Sequence, residues 1–265
     1  MAQATEQTTG LERARSSGVL PAVGRAGIEI TLIAILYVGY VVSRTFADTA
    51  FAPARGRALD ILTFEKSWRI DVESWLNDQF FAHDWIGVAS SFWYATTHYF
   101  VTLGILVWLY RRSASLYVTA RRALVGASLM GLAFYLLMPT APPRLVGGYH
   151  DILSLNSGIG WWSQNGSAPK GMGDITNDLA AFPSLHAGWS LWVAIVLIMA
   201  GVPRIVQGIG LAYAFTMSVV IIGTGNHWVI DAVVGWMVVL LSFAAVIAWE
   251  RGRAAVAQED VPERV

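Results

Sequence analysis

The sequence predicts an all-α membrane protein, a polytopic helix bundle with six transmembrane helices and one further amphipathic helix at its outer interface. Hydrophobic residues make up 55% of the 265 positions and charged residues only 14%, whereas soluble domains average about 45–50% and about 25%. The apolar residues gather in six long segments, and a helix needs about 20 of them to cross a bilayer. A disordered chain is excluded, because such chains are poor in aromatic and branched residues.

Charge and cysteine content exclude several classes of function. The 18 basic and 18 acidic residues cancel, so the chain lacks the basic surface expected of a protein that binds nucleic acid. It has no cysteine, which excludes disulfides, thiolate metal sites and cysteine nucleophiles.

The six predicted spans define one membrane domain over residues 26–250, between two tails at 1–25 and 251–265. The first span is too long, and its flank too polar, for a cleaved signal peptide. The spans cover residues 26–46, 85–110, 120–138, 183–200, 205–223 and 227–249.

Two arginine pairs predict the orientation of the spans. Arg111-Arg112 and Arg121-Arg122 lie on the short loop between the second and third spans, and short loops rich in Lys and Arg stay in the cytoplasm. We therefore expect a multi-pass protein of the cell membrane with both termini cytoplasmic. The long polar loop over residues 139–182 then lies on the outer side.

A second outer segment, residues 58–81, alternates apolar and charged positions at helical spacing. Trp68 and Trp75 stand there beside Lys66 and Arg69, which is typical of an amphipathic helix in the headgroup layer. A helix packed on the top of the bundle explains the pattern equally well.

The first of three polar clusters follows the third span. Prolines 139, 142 and 143 end the helix and place Arg144 at the membrane surface. Taken alone, this pattern also fits a helix stop with an arginine that reaches into the headgroups.

The second cluster opens the fourth span with Pro183, Ser184, Leu185 and His186. Proline suits the first turn of a helix, and we expect the free amides of residues 184–186 to form an anion site. The hydroxyl of Ser184 and the imidazole of His186 add polar groups. An ordinary helix cap with an interfacial histidine is the alternative.

The third cluster opens the sixth span with Thr224, Gly225, Asn226 and His227, and Asp231 follows one helical turn later. Residues four apart on a helix share a face, so Asp231 is expected to fix the tautomer of His227 and leave one ring nitrogen free as a base or nucleophile. A structural polar pair is the alternative.

The six-span topology places all three clusters at the same membrane face. An arginine, an anion-binding helix start and two histidines, one with a carboxylate partner, together indicate a phosphoryl-transfer site, which works mainly by positioning and charge stabilisation. The other three histidines lie outside these clusters. We expect His98 to be a hydrogen-bonded bundle residue, and His83 and His150 to be solvated or interfacial.

The clusters resemble a known family. The block 183–186, followed by His227 and Asp231, is similar to the second and third signature blocks of the type 2 phosphatidic acid phosphatase superfamily. The wider context, 177–186 and 224–227 together with 139–144, most resembles its inositol phosphorylceramide synthase-like, or inositolphosphotransferase, branch. The resemblance covers about residues 58–245.

The resemblance implies a six-helix core, a lipid or polyprenyl phosphate substrate and phosphohistidine chemistry without a metal or another cofactor. His227 would be the nucleophile, oriented by Asp231. His186 would protonate the leaving oxygen and later activate the acceptor. Arg144, Ser184 and the amides at the start of the fourth span would hold the phosphoryl oxygens.

Two positions depart from the family pattern. The first block usually has a lysine where this chain has Leu137, and the third usually has an arginine where it has Ile221. Asn226 or Lys170 is the replacement that we expect to bind phosphate, with Lys66 and Arg69 as further candidates.

Two readings of function follow. The first is an integral membrane phosphatase or phosphotransferase that acts at the outer face, with either water or an alcohol such as inositol as the acceptor. The second is a member of the family that has lost catalysis and serves as a lipid-binding or assembly component. The two missing cations favour the second reading, and the intact His186, His227 and Asp231 favour the first. Vanadate-dependent haloperoxidases share the motifs but are soluble, unlike this chain.

Overall fold

A computed structural model of the chain describes residues 22–45, 51–164, 170 and 177–259. The described residues form helices and connecting loops, without a β-strand among them. We number the helices in chain order: α1 (Ala22–Thr45), α2 (Phe51–Trp68), α3 (Glu73–Ala82), α4 (Asp84–Arg112), α5 (Ala114–Leu137), α6 (Pro143–Val146), α7 (Ile152–Leu155), α8 (Leu185–Met199), α9 (Arg204–Gly223) and α10 (Val229–Glu259).

Four of these helices are long and apolar enough to cross a membrane. They are α4, α5, α9 and the part of α10 over Val229–Val256. The described residues therefore confirm an all-α membrane protein with four candidate spans. Two more apolar helices are shorter, Gly27–Val42 within α1 and Leu185–Met199, which is α8. These two coincide with the first and fourth of the six predicted spans.

The chain divides into two compact units, residues 1–38 and 39–265. The first unit contains most of α1, and its isoleucines, such as Ile30 and Ile33, are exposed. The second unit is the helix bundle. In it α8 packs against α9, α10, α4 and α5, while α10 also packs along α5. The buried cluster around Trp192, Val196 and Val239 fills the space between α5, α8 and α10.

Two glycines let α8 and α10 approach closely where they cross. A Cβ atom on Gly235 would collide with the carbonyl oxygen of Ser184, and one on Gly188 would lie 3.0 Å from the carbonyl oxygen of Gly235. The backbones themselves are therefore in contact, beside the start of α8. This contact sets the distance between the second and third polar clusters.

The amphipathic segment 58–81 is two helices, which corrects the prediction of one. The chain turns at Arg69, whose φ of 57° is left-handed, so α2 ends at Trp68 and α3 begins at Glu73. The side of this segment that faces the bundle is also unexpected. Trp68 and Trp75 are exposed, whereas Glu65 and Glu73 are buried, so these two glutamates face the bundle and these two tryptophans face outward.

Parts of the predicted tails and of the long loop are helical. Helix α10 continues to Glu259, so residues 251–259 are helical, and residues 260–265 lie outside the described part. At the other end α1 begins at Ala22, while the rest of the predicted tail, 1–21, lies outside it. Within the loop 139–182 the short helices α6 and α7 are formed, and residues 165–169 and 171–176 are not described.

Candidate active site

Backbone hydrogen bonds bring the three polar clusters together at one end of the bundle. The amide of Thr140 donates to the carbonyl of Leu179, which joins the first cluster to the segment before α8. The amide of Arg144 donates to the carbonyl of Gly225, at 2.9 Å, and so joins the first cluster to the third. The amide of Ser184 donates to the carbonyl of Asp231, also at 2.9 Å, which joins the second to the third.

His227 is buried, and its ring is held by one hydrogen bond. Nδ1 lies 2.8 Å from the carbonyl oxygen of Ala181. A carbonyl only accepts, so Nδ1 carries the proton and Nε2 keeps its lone pair. Burial lowers the pKa of His227 to about 4, the hydrogen bond to Ala181 opposes this shift, and the charge of Arg144 adds to it. The imidazole is therefore neutral at physiological pH, with Nε2 as a free base.

Asp231 lies beside His227 but is not its nearest partner. Its Oδ2 is 3.5 Å from Nδ1 of His227 and accepts a 2.8 Å hydrogen bond from the amide of Trp228. Asp231 is fully buried. The sequence predicted that Asp231 fixes the tautomer of His227, but the Ala181 carbonyl fixes it at closer range. Asp231 accepts from the Trp228 amide at the start of α10.

His186 is the second imidazole of the site, and three rings surround it. Its ring centroid is 5.7 Å from that of His227, 4.4 Å from that of Tyr94, which stacks on it, and 4.2 Å from that of His98. His186 is partly exposed, whereas His227 is buried. One imidazole at this end of the bundle is therefore accessible, and the other lies behind it.

His98 has a larger part in the site than the sequence suggested. Its Nδ1 donates a 2.9 Å hydrogen bond to the carbonyl of Tyr94, which agrees with the expected role as a bundle residue. Its ring also contacts His186 edge-on. This contact could not be predicted from the sequence, because His98 and His186 are on helices far apart along the chain.

Ser184 caps α8 and is fully buried. Its hydroxyl accepts a 3.3 Å hydrogen bond from the amide of Ala187, and its own amide is bonded to Asp231. The expectation that the Ser184 amide is free for an anion is therefore wrong. Of the three amides expected to bind an anion, those of Leu185 and His186 remain as candidates.

Arg144 is oriented by Asn226. Nε of Arg144 donates to Oδ1 of Asn226 at 3.0 Å, and Nδ2 of Asn226 donates to the hydroxyl of Thr224, also at 3.0 Å. The Arg144 side chain is only 9% exposed, so its orientation is fixed. Asn226, expected to help bind phosphate, acts in this structure by holding the guanidinium in place.

Two carboxylates that the sequence analysis did not single out complete the surroundings of Arg144. Oδ1 of Asp178 is 3.0 Å from Nη2, and Oδ2 of Asp151 is 3.6 Å from Nη1. Both carboxylates are more exposed than the arginine. They place negative charge at the entrance to the site, next to the group best suited to hold a phosphate.

The remaining candidate cations lie at the periphery. Lys170 is exposed, its amide donates to the carbonyl of Trp161 at 3.0 Å, and with its neighbours it lines a shallow cavity that contains none of the three predicted catalytic residues. Lys66 and Arg69 are at the end of α2 and in the turn after it. The cavity beside Lys170 is formed by Ser157, Gly158, Ser163, Gln164 and Lys170 itself.

The two positions that depart from the family pattern differ in their surroundings. Leu137 is 76% exposed at the end of α5, and Ile221 is buried completely in a cluster with Met217 and Val220. A cation at position 221 would be buried among apolar side chains, which is costly. Within the described part of the chain, no group of three or more His, Asp or Glu side chains could hold a metal ion.

Comparison with known families identifies the family of this chain. A family model described as the PAP2 superfamily matches residues 59–245. The chain belongs to the PAP2 superfamily. The match includes all three polar clusters and agrees closely with the extent of the resemblance in the sequence. Comparison with curated proteins gives no match, and comparison with solved structures gives none either.

As a PAP2 protein with four helices able to cross a membrane, the chain fits a class of phosphatases and phosphotransferases that act on lipids. Its site combines a buried neutral imidazole, a more accessible one and an oriented arginine. Such an arrangement can place a nucleophile, a proton donor and a cation around one phosphoryl group.

Proposed function

We propose that this protein is an integral membrane enzyme that cleaves or transfers a phosphoester of a lipid or polyprenyl phosphate through a phosphohistidine on His227. The observation that carries the proposal is the pairing of two imidazoles. In this PAP2 protein the rings of His186 and His227 are neighbours, and Nδ1 of His227 donates its hydrogen bond to the Ala181 carbonyl. Nε2 of His227 is then the atom that attacks.

In the first step Nε2 of His227 attacks phosphorus, so a P–N bond forms while the bond from phosphorus to the lipid oxygen breaks. The leaving alkoxide takes a proton from His186, which a bound phosphate would keep protonated. A buried neutral His227 suits this step, because an imidazolium has no lone pair with which to attack. Asp231 stabilises the positive charge that develops on the ring.

In the second step His186 removes a proton from the acceptor, whose oxygen attacks phosphorus and breaks the P–N bond. With water as acceptor the reaction is hydrolysis, and with an alcohol it is transfer. The resemblance to the inositolphosphotransferase branch supports an alcohol such as inositol. The phosphoryl oxygens are held by Arg144, which Asn226 orients, and by the amides of Leu185 and His186, with the hydroxyl of Ser184 beside them.

We propose further that all six predicted spans cross the bilayer, with both termini in the cytoplasm and the site at the outer face. The arginine pairs at the end of α4 and in the first part of α5 support this orientation. The two shorter apolar helices, Gly27–Val42 and Leu185–Met199, would be the other two crossings beside the four longer ones, since a locally thinned bilayer accommodates a short span.

A non-catalytic role is the second candidate, and one observation favours it. Leu137 and Ile221 replace two phosphate-binding cations of the family, and Ile221 is buried among apolar side chains. A protein of this kind would bind a lipid phosphate without turning it over. Measurement of binding and turnover on the same preparation separates the two candidates.

The decisive experiment is phosphate release by purified protein from a panel of lipid and polyprenyl phosphates, with and without acceptor alcohols. His227→Gln is expected to abolish release, and His83→Gln to leave it unchanged, because His83 lies outside the site and bonds only within its own turn. Acceptor-dependent formation of a phosphate ester of the added alcohol would assign a transferase. Binding of substrate without release by the wild type would establish the non-catalytic role instead.

A further inference from the structure

Two buried glutamates hold the start of the helix that carries Asp231. Oε1 of Glu73 accepts a 2.8 Å hydrogen bond from the amide of Val229, and Oε1 of Glu65 accepts a 2.7 Å bond from the amide of Ile230. Glu65 is 0% exposed and Glu73 1% exposed. The first amides of α10, which lack partners within the helix, are thus capped by side chains from α2 and α3.

The second oxygen of each glutamate shows how the pair is held together. Oε2 of Glu65 and Oε2 of Glu73 are both buried and receive no hydrogen bond, and the two carboxyl groups are neighbours because they cap successive amides of α10. Two carboxylates cannot bond to each other, because neither has a donor. One proton between them satisfies both oxygens.

The neighbouring groups also disfavour two full charges. Asp231 adds a third buried carboxyl close by, and Tyr149 is near enough to Glu73, Glu65 and Asp71 to feel their charge. Burial, and then the acidic neighbours Glu73 and Glu65, raise the pKa of Tyr149 to about 12. Burial, with Glu73 and Asp231, raises the pKa of Glu65 well above its ordinary value of 4.5, and the bond from Ile230 only partly opposes this.

We propose that Glu65 and Glu73 share one proton and that this protonated pair positions His227 and Asp231 by clamping the first turn of α10. The clamp acts on the two residues directly after His227-Trp228, so any opening of the pair moves the nucleophile. Glu65 and Glu73 are positioning residues in this account, which rests on the proposed function only for its effect on turnover.

The free energy of unfolding should depend on pH even without substrate. Below about pH 4.5 the folded and unfolded chains both hold the proton, whereas above it only the folded chain does. The free energy of unfolding therefore falls as the pH rises from 4.5 until the folded pair loses its proton. Glu65→Gln and Glu73→Gln each supply a permanent hydrogen in place of the proton, so both variants should show a flatter dependence.

The experiment measures the thermal unfolding midpoint in detergent from mildly acidic to alkaline pH, together with phosphate release at each pH. We expect the wild type and Asp60→Asn, an exposed carboxyl on α2, to lose stability with rising pH in parallel, and the Gln variants to lose less. Activity of the wild type should fall at alkaline pH, and in Glu65→Gln this fall should move to higher pH. Glu65→Ala, which leaves an amide uncapped, should lose about tenfold or more in kcat throughout.

Stability curves for Glu65→Gln and Glu73→Gln that run parallel to the wild type would overturn the shared proton. If the Gln variants do not fold, infrared difference spectra of the wild type between neutral and alkaline pH provide the test, since a shared proton predicts loss of a carboxylic C=O band. Absence of that band change would overturn the proposal. Absence of phosphate release from every protein would contradict the proposed function and leave the stability and infrared results decisive for the clamp.

Discussion

Nδ1 of His227 donates a hydrogen bond of 2.8 Å to the carbonyl oxygen of Ala181. The acceptor belongs to the segment that leads into α8, so the second polar cluster holds the ring of the third. A main-chain carbonyl cannot be removed by a side-chain substitution, and it cannot take the proton away. The fold itself therefore fixes the tautomer of His227, and the proposed role of Nε2 as the nucleophile depends on that tautomer.

The two imidazoles should differ in how their loss depends on the leaving group. His227→Ala removes the nucleophile, so it should stop turnover of a lipid phosphate and of p-nitrophenyl phosphate alike. His186→Ala removes a proton donor, which typically costs about 100- to 10,000-fold. This loss should be large for the alkoxide of a lipid and small for an aryl oxide that leaves without protonation. Rescue of His227→Ala, but not of His186→Ala, by the aryl phosphate would reverse the two roles.

The acid limb of the pH profile should report His227. Burial lowers its pKa to about 4, so the neutral, nucleophilic form persists well below the ordinary value of 6.5. kcat/KM, which reflects groups of the free enzyme, should fall as the pH drops through about 4. Because the charge of Arg144 contributes to the lowered pKa, Arg144→Gln should move this limb to higher pH. A limb near 6.5 that Arg144→Gln does not move would contradict the assignment.

Asn226 and Arg144 should be energetically coupled. Asn226→Ala frees Nε of the arginine, and the loss of a hydrogen bond to a charged group costs about 1.5–3 kcal/mol, equivalent to roughly 10- to 100-fold in kcat/KM. In an Arg144→Ala background the same change should cost little, which a double-mutant cycle measures. Asn156→Ala is the control, since its amide bonds to Ser91 and Ile152 away from the site. Additive losses would show that the two side chains act independently.

Activity should survive chelators. The donors near the reacting centre are His186, His227 and Asp231, and Oδ2 of Asp231 is already bonded to the amide of Trp228. A catalytic zinc needs three protein ligands with an open position. Turnover in EDTA should therefore match turnover without it. Complete loss in EDTA, restored by one divalent metal, would require a different mechanism.

The orientation can be tested in the natural background, because the chain has no cysteine. Gly158→Cys places an exposed thiol on the long loop, where a side chain meets no neighbouring atom, and Ser115→Cys places an exposed thiol at the start of α5. An impermeant thiol reagent on intact cells should label position 158 and not position 115. Labelling of position 115 alone would put the site on the cytoplasmic side.

Local patterns in the sequence predicted the helices and the three clusters, because hydropathy, prolines and i,i+4 spacing are properties of neighbouring residues. The break at Arg69 was not predictable from periodicity, since the apolar spacing continues across it. The burial of Glu65 and Glu73 was missed for a related reason. Their partners, Ile230 and Val229, lie more than 150 residues away, and a charge in an amphipathic segment is ordinarily solvated.

The site shows the same division between local and distant contacts. His227 and Asp231 were predicted as neighbours from their spacing, and they lie 3.5 Å apart. The closer partner, the Ala181 carbonyl, is invisible to sequence reasoning because every residue has a carbonyl. The contact of His98 with His186 depends on how α4 and α8 pack, which no pattern within either helix determines.

The crossing of α8 and α10 at Gly188 and Gly235 has an evolutionary consequence. Backbone atoms, rather than side chains, set the spacing between the two histidine-bearing segments there. Exposed residues such as Phe100 and Phe215 can therefore be exchanged freely, as membranes or lipid tails change, without altering the reacting geometry. Two glycines thus let the outward-facing surface vary independently of the spacing between the two histidine-bearing segments.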